Sequence, residues 1–181
     1  MLTTLLEKVS NHLCIKSNLQ LSIISILAVT GPLVILTAGI WDAINHIQNS
    51  PEFFWSDPHI VVYAGVAMVA VASLFSINLL IKNSIHGILK RGLQLVIIGS
   101  IIQIVSGFGD SISHDMFGID GLLSLTHQPL EIGIVLSALG GFFIIKSSQN
   151  SNLKTFLPFA IVTFLLMTSW LGFNLALYFG H

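Results

Sequence analysis

The sequence predicts an all-α integral membrane protein with about five transmembrane helices, a duplicated helical hairpin and an N-terminal amphipathic segment. Composition carries the first part. Only 8% of the 181 residues are charged, where a soluble domain has about a quarter. Hydrophobic residues make up 54% and the mean hydropathy is +0.88. The apolar runs are long enough to cross a hydrocarbon core, which takes roughly 20 helical residues. The partner they imply is the lipid bilayer. A net charge of −1, with seven Lys and Arg, leaves no basic surface for nucleic acid. One cysteine, Cys14, excludes an internal disulfide and a cysteine-built zinc cage.

The chain reads as one membrane domain, 1–181. In residues 1–16, Leu2, Leu5, Leu6, Val9 and Leu13 recur at helical spacing with Glu7, Lys8 and Lys16 between them. That pattern predicts a short helix lying at the membrane surface. His12 and Cys14 belong to it as interfacial residues. No cleaved leader is expected, because the first long apolar run starts near Leu19 and exceeds a signal-peptide core. The first span runs from about Leu19 to His46, with a kink expected at Pro32. In the loop Ile47–Asp57, the aromatics Phe53, Phe54 and Trp55 suit a membrane–water interface. Asp57 reads as a helix N-cap with Pro58 in the first turn of a second span, about 58–81. A third span, about 92–114, leads into a loop, 115–126, that holds Asp115 and Asp120. A fourth runs from His127 to Ile145. A fifth, about 154–179, carries Trp170 and Asn174 and leads to His181.

A shift of 68 residues superposes two stretches of the chain without a gap. Asp42, His46 and His59 are spaced D-x3-H-x12-H, and so are Asp110, His114 and His127. Gly31, Gly39, Ile44, Ser56 and Gly65 also meet identical residues, giving eight identities over 31–65, and Glu52 meets Asp120. Repeat 1 covers about 19–83 and repeat 2 about 85–146, while 154–181 is an extra helix. All seven Lys and Arg fall at the N-terminus or in the loops of one side; seven of the eight acids fall on or near the other. The positive-inside rule then makes the N-terminus cytoplasmic and both D-x3-H-x12-H units extracytoplasmic. Two hairpins of one orientation imply a pseudo-twofold axis along the membrane normal.

Asp and His at i, i+4 share a helix face, and a His from the next helix completes a three-ligand set. One carboxylate and two imidazoles suit copper, zinc or iron, and the spacing does not choose among them. Three protein ligands leave the open position that a catalytic metal needs. A single D-x3-H at a helix end is most often a hydrogen-bonded pair; a second copy with both spacings intact favours metal. Glu52, Asp120 and Glu131 are further candidate ligands, or acceptors that orient the histidines, against a plain capping or solvated role. Tyr63, the counterpart of Glu131, is a hydrogen-bond donor to such a ligand or a simple interfacial residue. His86, between Lys82 and Lys90, reads as a solvated loop residue, and His181 as a terminal one.

Asp42, His46 and His59 resemble the copper triad in the C subunit of copper-dependent membrane monooxygenases, the particulate methane and ammonia monooxygenase complexes. That family has a second ligand set in a later hairpin, which Asp110, His114 and His127 resemble with Asp in place of Asn. The pattern W-D-x3-H followed by F-W-x2-P-H-x3-Y, from Trp41 to Tyr63, is also similar to small prokaryotic membrane proteins. The likeness covers about 40–65 and 108–133. It implies copper facing outward, in a complex with other membrane subunits that inserts oxygen into a C–H or N–H bond. On the residues alone, a zinc hydrolase with Glu131 as general base, a metal carrier and a structural subunit stay open.

Overall fold

Apolar chain in hydrocarbon must pair its own backbone groups, and a helix does so within one segment. The computed structural model describes residues 2–48, 55–117 and 127–180; the side chains of 2–17, 46, 111, 114, 115 and 117 lie outside that description. The described chain is helical: α1 (Leu2–Ile47), α2 (Asp57–Lys82), α3 (Gly87–Phe117), α4 (His127–Ser147), the single turn α5 (Ser151–Lys154) and α6 (Leu157–Phe179). Five stretches are long and apolar enough to cross a membrane: Asn18–Asn45, Asp57–Lys82, Gly87–Asp110, His127–Ser147 and Ser151–Phe179. These are the five expected spans.

The boundaries differ from expectation in three places. No helix break separates residues 1–16 from the first span, because Lys16, Ser17 and Asn18 include no Pro or Gly to stop α1. As the expected single span Leu19–His46 requires, the helix runs through Pro32, which is fully buried and denies the Ala28 carbonyl its usual donor. The N-cap of α2 is Ser56, with extended backbone (φ −62°, ψ 155°), and Asp57 is already the first helical residue. Third, α3 is longer at both ends. It opens at Gly87, whose φ of +66° suits glycine, and reaches Phe117, so Asp115 is on its last turn rather than in a loop.

Helices α1 to α4 form an antiparallel ring: α1 packs on α2, α2 on α3, α3 on α4 and α4 back on α1. Helix α6 lies outside the ring against α4 and α1. All four ring helices contribute to one core, through Ile24, Ala28, Ala72, Leu79, Leu93, Val96 and Ile144. A second cluster, Ile35, Ile134, Ala138 and Met167, joins α1 and α4 to α6. The outer faces are apolar as well: Leu74, Ile101, Val105 and Leu165 are all more than half exposed. A lipid environment suits such a surface.

Lipid tails are as apolar as a helix face, so close packing and hydrogen bonds must hold the ring together. The closest approaches are at glycines. A Cβ on Gly31 would lie 3.0 Å from the Gly65 carbonyl oxygen, and one on Gly65 would lie 2.9 Å from that of Gly31. In the second hairpin the same holds for Gly99 and Gly133, at 2.6 and 2.8 Å. Beside that contact, the buried Gln103 amide donates from α3 to the Gly133 carbonyl (3.0 Å) and to Ser137 Oγ (2.8 Å) on α4. Ser25, Thr30, Ser76 and Thr163 each donate to the carbonyl one turn back, which satisfies their hydroxyls inside the spans.

This topology gathers the C-terminal ends of α1 and α3 and the N-terminal ends of α2 and α4 at one end of the ring. Lys82, Lys90, Arg91, Lys146 and Lys154 are at the other.

Gly99→Ala and Gly65→Ala should each lower stability by about 1–3 kcal/mol, because the added methyl meets backbone. A Cβ on Gly39 or Gly107 meets nothing within 4 Å, so alanine there should cost nothing beyond noise. Thermal unfolding in mild detergent compares the four. Equal losses at all four positions would reject the packing argument.

Candidate metal centre

Each hairpin turns at the end opposite the lysines, and each brings an Asp from its first helix to a His in the first turn of its second. His59 Nε2 is 3.6 Å from Asp42 Oδ1 across α1 and α2. His127 Nε2 is 3.0 Å from Asp110 Oδ2 across α3 and α4, a hydrogen bond as well as an ion-pair contact. The same ring nitrogen faces the carboxylate in both. The four side chains keep between 13% and 26% of their surface exposed, so the pairs lie shielded but within reach of the ring's end.

In the first hairpin a second bond fixes the imidazole. Ser56 Oγ lies 3.0 Å from His59 Nδ1, so the N-cap side chain of α2 holds the ring instead of capping the backbone. That bond leaves Nε2 as the nitrogen directed at Asp42. Ser56 is a contact of His59 that spacing arguments passed over. Its signal was identity with Ser124 in the repeat, and Ser124 lies outside the described residues.

Tyr63 packs beside His59 on α2. Its ring stacks on His59, with centroids 6.4 Å apart and planes at 24°, and meets the edge of Trp55 at 5.9 Å. Its hydroxyl is in the electrostatic field of both Asp110 and Asp42. Both Asp–His pairs are at the same end of the ring.

Among the described residues Glu131 makes its hydrogen bond away from these pairs. It is buried, 7% exposed, and its Oε1 accepts from Asn174 Nδ2 on α6 at 2.8 Å. Asn174 also donates to the Trp170 carbonyl, one turn back. His127, one turn before Glu131, is the nearest titratable side chain on its own helix.

The central members of the two frames, His46 and His114, sit on α1 and α3 one turn beyond Asp42 and Asp110, with side chains outside the described set. Glu52, Asp120, Phe53, Phe54, His12, Cys14 and His181 also lie outside it. His86 is exposed at the opposite end, as expected. Among the described residues no group of three or more His, Cys, Asp and Glu side chains is assembled as a metal site. Each frame contributes two described donors.

The chain matches no protein-family model, no curated protein and no solved structure.

His127→Ala removes the 3.0 Å hydrogen bond between α3 and α4 and should cost about 1–3 kcal/mol. A double-mutant cycle on Asp110 and His127 should give a coupling of about 1 kcal/mol. It should exceed that for Asp42 and His59, because 3.0 Å is hydrogen-bond distance and 3.6 Å is not. Equal couplings, measured by thermal unfolding of the metal-free protein, would contradict this geometry.

Proposed function

We propose that this protein is a copper-binding membrane subunit, resembling the C subunit of copper-dependent membrane monooxygenases, and that its two hairpins are copies of one ligand-bearing unit. The observation that carries the reading is the matched pair of Asp–His contacts. Two donors each about 2.1 Å from one ion stand about 3.0 Å apart at a right angle and about 3.4 Å at the tetrahedral angle. The observed separations, 3.0 and 3.6 Å, suit two ligands of one ion with little movement. The donor chemistry, carboxylate with imidazole, suits copper, zinc or iron(II).

In this reading Asp42, His46 and His59 hold one metal, and Asp110, His114 and His127 hold another or share it. Ser56 orients His59 through Nδ1, and Tyr63 lies beside both sets. Copper so held would supply an open position for binding and activating dioxygen. The duplication is supported by contacts that recur at an interval of 68. Gly31 on Gly65 corresponds to Gly99 on Gly133, and Asp42 with His59 to Asp110 with His127. The lysine distribution supports a cytoplasmic N-terminus and an extracytoplasmic metal centre. Other membrane subunits are the proposed partners.

A zinc hydrolase would need Glu131 as a general base, but that carboxylate is turned to Asn174 on α6. Nothing in the geometry favours that reading.

Elemental mass spectrometry of protein purified in mild detergent tests the proposal. One or two copper ions per chain are expected, with loss or halving in an Asp42→Ala/His46→Ala variant. Halving there and in Asp110→Ala/His114→Ala would mean two sites; complete loss in either would mean one shared site. Ser56→Ala should weaken copper binding by about 10- to 100-fold, as expected when a histidine ligand loses its orienting partner. Zinc in place of copper would support the hydrolase. No metal in wild type after copper and zinc loading would reduce both frames to a structural network.

A further inference from the structure

Charge is divided between the two ends of the molecule. The described carboxylates, Asp42, Asp57, Asp110 and Glu131, all belong to the end that carries the Asp–His pairs. Lys82, Lys90, Arg91, Lys146 and Lys154 belong to the other, and among the described residues none of the five has an acidic partner. Two of them share one cleft. Lys82, at the end of α2, and Lys90, in the first turn of α3, line a cleft of about 360 Å³ with Asn83, Ser84 and His86 from the turn between them. That turn is held in shape. Asn83 Nδ2 donates to the Leu79 carbonyl (3.1 Å), the Ile85 N–H donates to the Asn83 carbonyl (3.0 Å), and Gly87 takes a φ of +66°. The lysines, Ser84 and His86 are exposed around it.

We propose that this cleft binds the headgroup of an anionic phospholipid, with Lys82 and Lys90 at the phosphate and an acyl chain along α2. Its depth is that of headgroups, because it lies where the spans Asp57–Lys82 and Gly87–Asp110 meet the end of the ring. Its chemistry is that of a phosphate site. Two ammonium groups supply charge and donors, the Ser84 hydroxyl supplies another donor, and no described carboxylate competes at this end. Its wall distinguishes a lipid from a soluble anion. Ile81 lines the cleft and is 79% exposed, and Ile77 and Leu74, one and two turns further along the span, are exposed on the same face. A soluble anion would pair with the lysines and leave that apolar stripe unused. The volume, at the lower end of ligand-pocket sizes, admits a headgroup rather than a bare ion. The site does not depend on the copper reading, because it is at the opposite end from both triads and shares no residue with them.

Native mass spectrometry of the detergent-purified chain, titrated with dioleoyl phosphatidylglycerol or dioleoyl phosphatidylcholine, tests the site. The two lipids share acyl chains and differ in headgroup charge. Phosphatidylglycerol should bind roughly 10- to 30-fold more tightly, the effect of two lysines at about a factor of five each. Lys82→Gln/Lys90→Gln should bring the two lipids within about twofold of each other, while Lys82→Arg/Lys90→Arg keeps the charges and the preference. Lys146→Gln/Lys154→Gln removes as much charge from the same end outside the cleft and should also keep the preference. Excess inorganic phosphate at matched ionic strength should not displace the bound lipid. Equal binding of the two lipids to wild type would overturn the proposal. So would a preference that survives Lys82→Gln/Lys90→Gln, or one that Lys146→Gln/Lys154→Gln abolishes equally, which would mean a diffuse field and no cleft site. Displacement by phosphate would overturn it as well, in favour of a soluble anion.

Discussion

In a bilayer two apolar helices gain little by touching unless they touch closely, since lipid would cover the same surface. Gly31 against Gly65 and Gly99 against Gly133 supply that closeness, with backbone against backbone and no room for a Cβ. The crossings also set the register of each hairpin. Asp42 is eleven residues beyond Gly31 along α1, and His59 six residues before Gly65 along α2. Asp110 and His127 stand at the same intervals from Gly99 and Gly133. Two helices locked at equivalent points deliver equivalent residues to the end of the ring, and an Asp meets a His there in each hairpin. A methyl group at a crossing would act on the Asp–His pairs from several turns away.

Polar side chains described in this protein find partners at three levels, and the level rises with the cost of failure. Serine and threonine hydroxyls bond to their own helix, which costs no tertiary structure. Gln103 reaches across to the next helix, at the crossing where α3 and α4 are already closest. The carboxylates at this end of the ring take partners from other helices: Asp42 and Asp110 from the following helix, Glu131 from α6. Acidic side chains are the most expensive to shield from water, so they are the ones that tie separate elements together.

How much of this could be read from the sequence follows from the range of each signal. Hydropathy is local and continuous, so all five spans stand where it placed them. The spacing of Asp42, His46 and His59 marks one face at a helix end and the start of the next helix. The Asp42–His59 and Asp110–His127 contacts form within that frame. Helix limits were less legible. Lys16 to Asn18 are polar enough to suggest a boundary, yet polarity alone does not end a helix, and α1 runs on. Ser56 looked like a residue before a cap, but its hydroxyl is worth more to the His59 ring than to a backbone N–H. Asn174 was visible only as a polar residue in an apolar helix. Its partner Glu131 is 43 residues away, and no periodicity connects α6 to α4.

Helix α6 is where the proposed symmetry of the hairpins ends. Position 63 in the first copy is Tyr and position 131 in the second is Glu, and the two are counterparts in the alignment. Tyr63 packs on His59 and lies in the field of both aspartates. Glu131 is drawn away from that region by Asn174, a residue that the repeat does not contain. A buried carboxylate at 131 needs a donor, and the hydrogen bond it makes comes from outside the ring of four helices. Adding α6 against α4 and α1 supplies the donor that makes Glu131 tolerable. The fifth span thus gives the second hairpin a buried polar contact at the position where the first has Tyr63, and two similar units come to differ in their surroundings.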